Sequence, residues 1–314
     1  MLRQVMEMHE LLDSSFASGE KAKQLLLSRG LPAEQCHWLT VIGDKGSTDF
    51  IHILLKGKNG KLSGGSAPTL GIIGRLGGVG ARPERIGLVS DGDGAITALS
   101  VALKMVDMQK NGDILAGDVI ISTHIAPFSP TSQHDPVPFM GSPVDIALMN
   151  KYEVDTSVDA ILSVDTTKGN RVLNVRGFAI TPTIKDGWIL RISEDLLSIV
   201  EWTTGKQPNV LPITMQDITP YGNDIYHVNS ILQPSTVTDV ALVGVAITTE
   251  TAVPGCATGA SHEIDIEETA RFCVEVAKYY GENKCSFYNE AEYAALIKGY
   301  GSMSHLRKIN PLKK

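Results

Sequence analysis

One segment, residues 86–105, restricts the fold of this chain more than any other. A short apolar run, Ile86–Val89, is followed at once by Asp91 and Asp93, and residues 95–110 then have the apolar spacing of a helix. Such a run is typical of a buried strand. Ligands of open α/β sheets bind outside the carboxyl ends of the strands. The segment therefore predicts a strand that delivers two carboxylates to a site for a cation or a polar ligand.

The rest of the chain repeats this alternation of strands and helices. Lys58–Gly60 has the composition of a hairpin turn, and neither an internal repeat nor a low-complexity linker interrupts the pattern. The alternation predicts an α/β fold with a mostly parallel or mixed central sheet flanked by helices, in a single domain over residues 1–314. Helices are predicted within 1–30 (an N-terminal helical segment), 95–110, 143–152, 194–205 and 265–280, and strands over 38–43, 50–55, 70–74, 86–89, 117–124, 158–165 and 240–247, with two more in 172–192.

Composition excludes several classes of protein. The net charge is −7 and no cluster of Lys and Arg is present, which argues against nucleic-acid binding. No apolar run has the length of a membrane span, and the first 30 residues lack the hydrophobic core of a secretory leader. The four cysteines are scattered, which predicts reduced thiols in a cytoplasmic protein. Cys256, in a glycine-rich loop, could be a catalytic thiol, although a small loop residue is the simpler interpretation.

Several strands are followed by residues that can bind a metal. Mixed sets of histidine and carboxylate suit zinc, manganese and similar divalent ions, and a metal-bound water is a good nucleophile near neutral pH. The pattern predicts a divalent metal site, with zinc as the first choice and manganese or cobalt as alternatives. A strand-end Asp can instead cap the next helix, and a lone His can be structural. The candidates are Asp91 and Asp93, His124 with His134 and Asp135 in the next loop, Asp165, Asp224, and His262 with Glu263.

Other motifs point to fewer functions. The glycine-rich run Gly74–Gly80 lacks the Gly-Lys-Ser/Thr ending of a phosphate loop and the context of a dinucleotide site, so a flexible connection is expected. No Gly-x-Ser-x-Gly elbow supports serine hydrolysis. Arg75, Arg82 and Arg85 could bind the carboxylate of a substrate, as in a lyase or isomerase. A solvated surface is the simpler interpretation of these arginines.

The order of these pieces resembles that of the co-catalytic zinc aminopeptidases and their deacylase relatives. The resemblance implies a zinc-aminopeptidase-like (phosphorylase/hydrolase-like) fold and a homo-oligomer. It also implies that Asp91 or Asp93 bridges two metal ions, and that Asp165 and His262 each bind one of them. The segment Gly222–Asp224 resembles one that lies between those two ligands in this group.

The chain departs from that group at two places. The Glu-Glu pair that supplies the base and a ligand is absent, so His124 is the candidate ligand and His134 or Asp135 the candidate base. The aminopeptidases also have a His-x-Asp motif early in the chain. Here its His is absent, and Asp49 matches only its Asp, which orients the ligand in that group. In their amino-acid sequence, the segments at 89–95, 122–127 and 134–143 more closely resemble an uncharacterised bacterial family, domain of unknown function 1177.

Two functions are therefore expected. The first is a metal-dependent hydrolase of a small amide or short peptide, with the proline-rich loop 126–143 covering the site. The alternative is a non-hydrolytic protein that binds a metabolite or a metal on the same scaffold with a degenerate catalytic site. In both, the partners are a small molecule or short peptide and further copies of the chain.

Overall fold

The fold was established from a computed structural model, which describes residues 1–75, 78–213 and 230–307. Its centre is a mixed sheet of nine strands within those ranges. The strands of the sheet are β1 (Cys36–Gly43), β2 (Gly46–Leu55), β3 (Leu70–Gly74), β4 (Val119–Ile125), β7 (Ala160–Thr167), β8 (Gly177–Ile180), β9 (Ile184–Lys185), β10 (Trp188–Ile189) and β11 (Ala241–Thr248), and a separate hairpin consists of β5 (Thr131–Ser132) and β6 (Phe139–Met140). The order in the sheet is β1-β2-β4-β3-β7-β11-β9-β10, with β8 paired to β11.

Four neighbouring strands, β4, β3, β7 and β11, run parallel, and antiparallel strands flank them on both sides. Strands β3, β4 and β11 are buried throughout and β7 over its first six residues, as expected for strands covered on both faces. Their carboxyl ends share one edge of the sheet. This mixed α/β arrangement confirms the predicted class of fold.

Seven α-helices lie within the described ranges. Helix α2 shows why such segments are helical: the Ser18 side chain accepts from the Lys21 amide at its start, and Gly30 ends it at φ 115°. Three further helices start with the same chemistry, with Asp145, Ser193 and Asn289 as N-caps whose side chains accept from a backbone amide. The helices are α1 (Leu2–Asp13), α2 (Gly19–Arg29), α3 (Asp93–Lys110), α4 (Ile146–Glu153), α5 (Glu194–Thr204), α6 (Glu263–Gly281) and α7 (Glu290–Tyr300).

The sheet separates two hydrophobic layers. On one side α3 and α6 pack on the strands, and α1, α2 and α5 pack around those two helices. On the other side lie α4 and the 3-10 segment Ser230–Thr236. Alternate residues of each strand therefore face different layers: Ile72 belongs to the larger core, and Ile73 to the smaller one.

Three local predictions are wrong. Ile86–Val89 is irregular, with a single bridge from Leu88 to Gly80, because it runs over the sheet edge instead of joining the sheet. The hairpin before β4 is formed by β1 and β2, which turn between Gly43 and Gly46, and not at Lys58–Gly60. Residues 172–192 contain three short strands instead of two. Helix α7 has no counterpart in the predicted elements.

Two further observations concern the whole of the described chain. None of its helices there combines the length and the apolar composition that crossing a membrane requires. All four cysteines are buried and free, and burial raises the pKa of the Cys273 thiol to about 12. Cys256 packs in a small apolar cluster with Ala81, Val89 and Met140, as expected for a structural loop residue.

Candidate functional site

Asp91 and Asp93 lie at the carboxyl edge of the parallel strands. A 3-10 turn, Ser90–Gly92, leads into α3. Helix α3 starts in direct contact with the ends of β3 and β7, because a Cβ at Gly94 would lie 2.8 Å from the carbonyl oxygens of both Arg75 and Val164. The sequence therefore placed both carboxylates at the correct edge, although no strand precedes them.

Asp91 is held by a lysine that sequence reasoning missed. Its Oδ1 accepts from Lys168 Nζ at 2.8 Å, and both side chains are about nine-tenths buried. Lys168 follows the end of β7, three residues after Asp165. The backbone amide of Asp91 donates to the Gly255 carbonyl at 3.3 Å. An ammonium group thus neutralises the carboxylate to which the resemblance gave a metal-bridging role.

Asp93 is buried beside several other carboxylates. Its Oδ1 accepts from the Ser261 hydroxyl at 2.6 Å. Burial raises the pKa of Asp93 well above its ordinary value, the Ser261 hydrogen bond lowers it, and the charges of Asp91, Glu263 and Asp265 raise it further. We call these four acidic residues the acidic cluster. Burial and the neighbouring carboxylates together thus favour the protonated form of Asp93.

Asp165 and His262 belong to the segments that meet at this cluster. The Asp165 Oδ1 accepts from the Thr166 amide at 2.8 Å, and the Thr166 hydroxyl donates to the Ser90 carbonyl at 2.9 Å. His262 is the partly exposed N-cap residue of α6, directly after Ser261. The structure thus brings together the segments that carry Asp91, Asp93, Asp165 and His262. Their function as metal ligands stays a prediction.

His124 lies in the opposite layer of the sheet. It is fully buried, and its Nδ1 contacts Glu153 Oε1 at the end of α4. The other oxygen of Glu153 accepts from Arg75 Nη1, and the Ser122 hydroxyl donates to the Glu153 carbonyl at 2.6 Å. The solvated surface expected for Arg75 is wrong, because this arginine is completely buried beside Glu153. Glu153, the last residue of a short helix, gave no signal in the sequence.

His134 and Asp135, the predicted bases, lie in the loop that contains the β5–β6 hairpin. The centroids of the His134 and Phe139 rings lie 6.0 Å apart, with the ring planes at 76°. Asp135 is exposed. In the same loop, Met140 packs in one cluster with Val89, two residues before Asp91. The loop therefore lies against the segment that leads to the site, and the function of either residue as a base stays a prediction.

Two other residues singled out in the sequence are Asp49 and Asp224. The Asp49 carboxylate accepts from the Gly19 amide at 2.8 Å and from the Thr40 hydroxyl at 2.7 Å, so it ties the start of α2 to the first hairpin. Asp224 lies outside the described residues. Gly255 and Ser261 were not predicted, and both contact a predicted aspartate.

Two of the predicted metal ligands are engaged by other side chains. Asp91 is paired with Lys168, and His124 is held by Glu153 in the other layer. Within residues 1–75, 78–213 and 230–307, no three His, Cys, Asp or Glu side chains are grouped so as to hold a metal ion. Metal binding by the predicted ligands stays a prediction.

Fold and site together define a mixed α/β protein with a buried polar site at the carboxyl edge of its parallel strands. The chain belongs to the DUF1177 family, described as "Protein of unknown function (DUF1177)", whose sequence profile matches residues 39–310. No curated protein matches the chain. The matched region includes both the acidic cluster and the layer that contains His124.

The contact between Gly255 and Asp91 gives a first prediction. A Cβ at Gly255 would lie 2.0 Å from Asp91 Oδ2, while nothing lies within 4 Å of a Cβ at Gly259 in the same loop. Gly255→Ala is expected to lower the free energy of unfolding by about 1–3 kcal/mol, because Asp91 is held by Lys168 and cannot move freely. Gly259→Ala, the control, should change it by less than about 0.5 kcal/mol. Equal midpoints in urea denaturation would contradict the packing described here.

The raised pKa of Asp93 gives a second prediction, on pH dependence. In the unfolded chain the carboxyl ionises near pH 3.8, whereas in the folded protein it keeps its proton to a higher pH. The folded state therefore binds more protons between these two pKa values, and Asp93 makes the protein less stable as pH rises through that window. Asp93→Asn removes this dependence and keeps an acceptor for Ser261. The difference in stability between variant and native protein should shift in favour of the variant from pH 4 to pH 7, and parallel pH profiles would refute the assignment.

Proposed function

We propose that this protein binds a small cationic metabolite, such as a primary amine, at the acidic cluster, and does not hydrolyse it. This is the non-hydrolytic alternative on an aminopeptidase-like scaffold. The observation that supports it most is the excess of carboxylate at the site. The charges of Asp91, Glu263 and Asp265 act on Asp93. Lys168 pairs with Asp91 and Arg176 with Asp265, and His9 Nε2 lies 3.4 Å from Glu263 Oε1.

A cationic ligand group would relieve this excess. Buried carboxylates with too few cations are costly, and an ammonium group that donates to Asp93 would favour its ionised form. The strand ends and the start of α3 already hold these side chains in position, so little ordering is needed on binding. The loop that carries Met140 lies against the same segment and could close over a small ligand.

The contacts of two predicted metal ligands do not favour hydrolysis. Asp91 is engaged by Lys168, and His124 by Glu153, so each would have to leave its present partner before it could bind a metal ion. A hydrolase needs a base within hydrogen-bond reach of the attacking water. Asp135, one of the two predicted bases, is exposed in its loop.

Thermal unfolding in the presence of small amines tests the proposal. Diamines, amino alcohols and amino acid amides are each added to native protein and to Asp93→Asn, which loses charge but little volume. A ligand present at 100 times its dissociation constant should raise the stability by about 2.7 kcal/mol. The same compounds should have a smaller effect on the variant. No stabilisation by any amine, or an equal effect on both proteins, would refute the proposal.

A metal-dependent hydrolase is the second candidate, favoured by the same excess of carboxylate. Divalent zinc, manganese or cobalt would also compensate that charge. Elemental analysis after reconstitution, combined with amine release from an amide and dipeptide panel, separates the two candidates. Bound metal together with turnover, both lost in His262→Ala, would establish the hydrolase and overturn the binding function.

A further inference from the structure

The layer between the sheet and α4 contains a group of buried polar side chains that the acidic cluster does not use. Arg75, His124 and Glu153 are joined through the two oxygens of the Glu153 carboxylate. All three side chains are completely buried. We call them the Arg-Glu-His group.

The charges and protons of this group follow from its contacts. Glu153 is an acceptor for the Arg75 guanidinium, so the two side chains form a neutral ion pair. A carboxylate beside His124 Nδ1 favours the tautomer with its proton on that nitrogen. The group is then neutral as a whole, and His124 Nε2 is left as a hydrogen-bond acceptor.

Two atoms of the group have no hydrogen-bond partner among the described residues. Arg75 Nη2 carries two N–H donors, and His124 Nε2 is the acceptor just described. Buried polar groups are almost always satisfied in folded proteins, and an unpaired one costs about 1–3 kcal/mol. One unpaired donor group and one unpaired acceptor, attached to the same carboxylate, therefore indicate a partner that supplies the complementary pair.

The same layer has further polar atoms without a partner in the described parts of the chain. These are Ser163 Oγ and Asn150 Oδ1. Ser163 pairs with Ile73 in the sheet, and Ile73 also pairs with Ser122, two residues before His124, so Ser163 and His124 face the same side. Asn150 lies one helical turn before Glu153 on α4. The unpaired atoms thus belong to residues of the same layer, between the sheet and α4.

We infer that the Arg-Glu-His group binds the amide edge of a small molecule, a carbonyl oxygen beside an N–H. The carbonyl accepts from Arg75 Nη2, and the N–H donates to His124 Nε2. A primary carboxamide or a lactam has this edge and no charge. A neutral, fully buried group favours such a ligand over a carboxylate, which would bring an uncompensated negative charge and no proton for His124.

This site adds to the proposed function without depending on it. The Arg75 amide donates to the Val164 carbonyl at 2.6 Å, and the next residue is Asp165, so the site adjoins the carboxyl edge on the side of α4. Its probes carry no charge and so do not bind through the acidic cluster. A failure of the amines and a failure of the amide are therefore separate results.

The test compares two probes of nearly equal shape, propionamide and propionate. Binding of each to native protein is measured by saturation-transfer NMR. Propionamide is expected to bind at least about tenfold more tightly than propionate, because propionate has no proton for His124 Nε2 and leaves that buried acceptor unpaired. Because this comparison uses unaltered protein, it does not depend on whether any variant folds. Equal binding, tighter binding of propionate, or no binding of propionamide would overturn the inference.

Variants then assign the contacts. Arg75→Lys keeps a cation for Glu153 but deletes Nη2, and His124→Phe keeps a ring but deletes Nε2. Each should weaken propionamide binding about tenfold. Arg191→Lys, in an exposed pair, and His52→Phe, on a half-buried histidine of β2, are matched controls that should leave it unchanged. Unchanged binding in Arg75→Lys or in His124→Phe would contradict the assignment.

Discussion

Glu153→Ala is expected to lower the free energy of unfolding by about 3–5 kcal/mol, because it leaves the guanidinium of Arg75 buried without its counter-ion. Arg75 and Glu153 are both completely buried, and Glu153 also holds His124. A buried ion pair adds little to stability as a pair, but removal of one partner isolates the other charge in a medium that cannot solvate it. Urea denaturation followed by circular dichroism measures the effect.

The matched control for this change is Glu292→Ala. Glu292 pairs with Arg191, and the side chains are 52% and 75% exposed, so water replaces the lost partner. The expected loss is about 0–1 kcal/mol. The double variant Arg75→Met with Glu153→Leu should recover much of the stability, because it removes both charges together. A small effect of Glu153→Ala, similar to that of Glu292→Ala, would show that Arg75 reaches water or another partner in solution.

Asp118→Ala should have the second-largest effect, a loss of about 3 kcal/mol or more, since hydrogen bonds to charged groups contribute about 1.5–3 kcal/mol each. Asp118 is 1% exposed. Its Oδ1 accepts from the Gly57 amide at 2.8 Å and its Oδ2 from the Leu62 amide at 2.7 Å. The carboxylate thus accepts the hydrogen bonds of these two amides in the loop between β2 and β3, in place of backbone carbonyls. Removal leaves an unpaired amide in each place.

Asp145→Ala is a suitable control for this prediction. Asp145 is the exposed N-cap of α4 and accepts from one amide, that of Leu148, at 2.8 Å. Its loss should cost about 1 kcal/mol. Asp118→Ala should also increase hydrogen exchange at the amides of Gly57 and Leu62. Protection of both amides at native levels would refute the account of this loop.

The arrangement of helices and strands was largely predictable, and the exceptions have local causes. The strands Val119–Ile125 and Ala160–Thr167 each begin with three apolar residues in a row, and Ala241–Thr248 is apolar over most of its length, a composition typical of buried strands. Ile86–Val89 has the same composition but pairs only at Leu88, since its position is decided by contacts across the chain. Lys58–Gly60 turns around Asp118, a contact that no local pattern reveals.

The candidate site was predictable in its location but not in its contacts. Strand ends and helix starts indicated where Asp91, Asp93 and Asp165 lie. The side of the sheet to which His124 points depends on the register of β4 with its neighbours, which one sequence does not show. Lys168 and Glu153 act through partners far away in the chain. Metal binding, homo-oligomer formation and a cytoplasmic location stay predictions.

Helix α7 has a consequence for how the protein opens. None of its residues is buried, so it adds almost nothing to either hydrophobic layer. An eleven-residue helix is marginal on its own, and its stability comes mainly from packing. The Trp188 indole, which donates to the Gly301 carbonyl at 2.9 Å, ties its end to the edge hairpin. Segments with so few buried contacts unfold locally at a much lower free energy than the whole protein, and we therefore expect α7 to open and close as a local unit while the sheet stays intact.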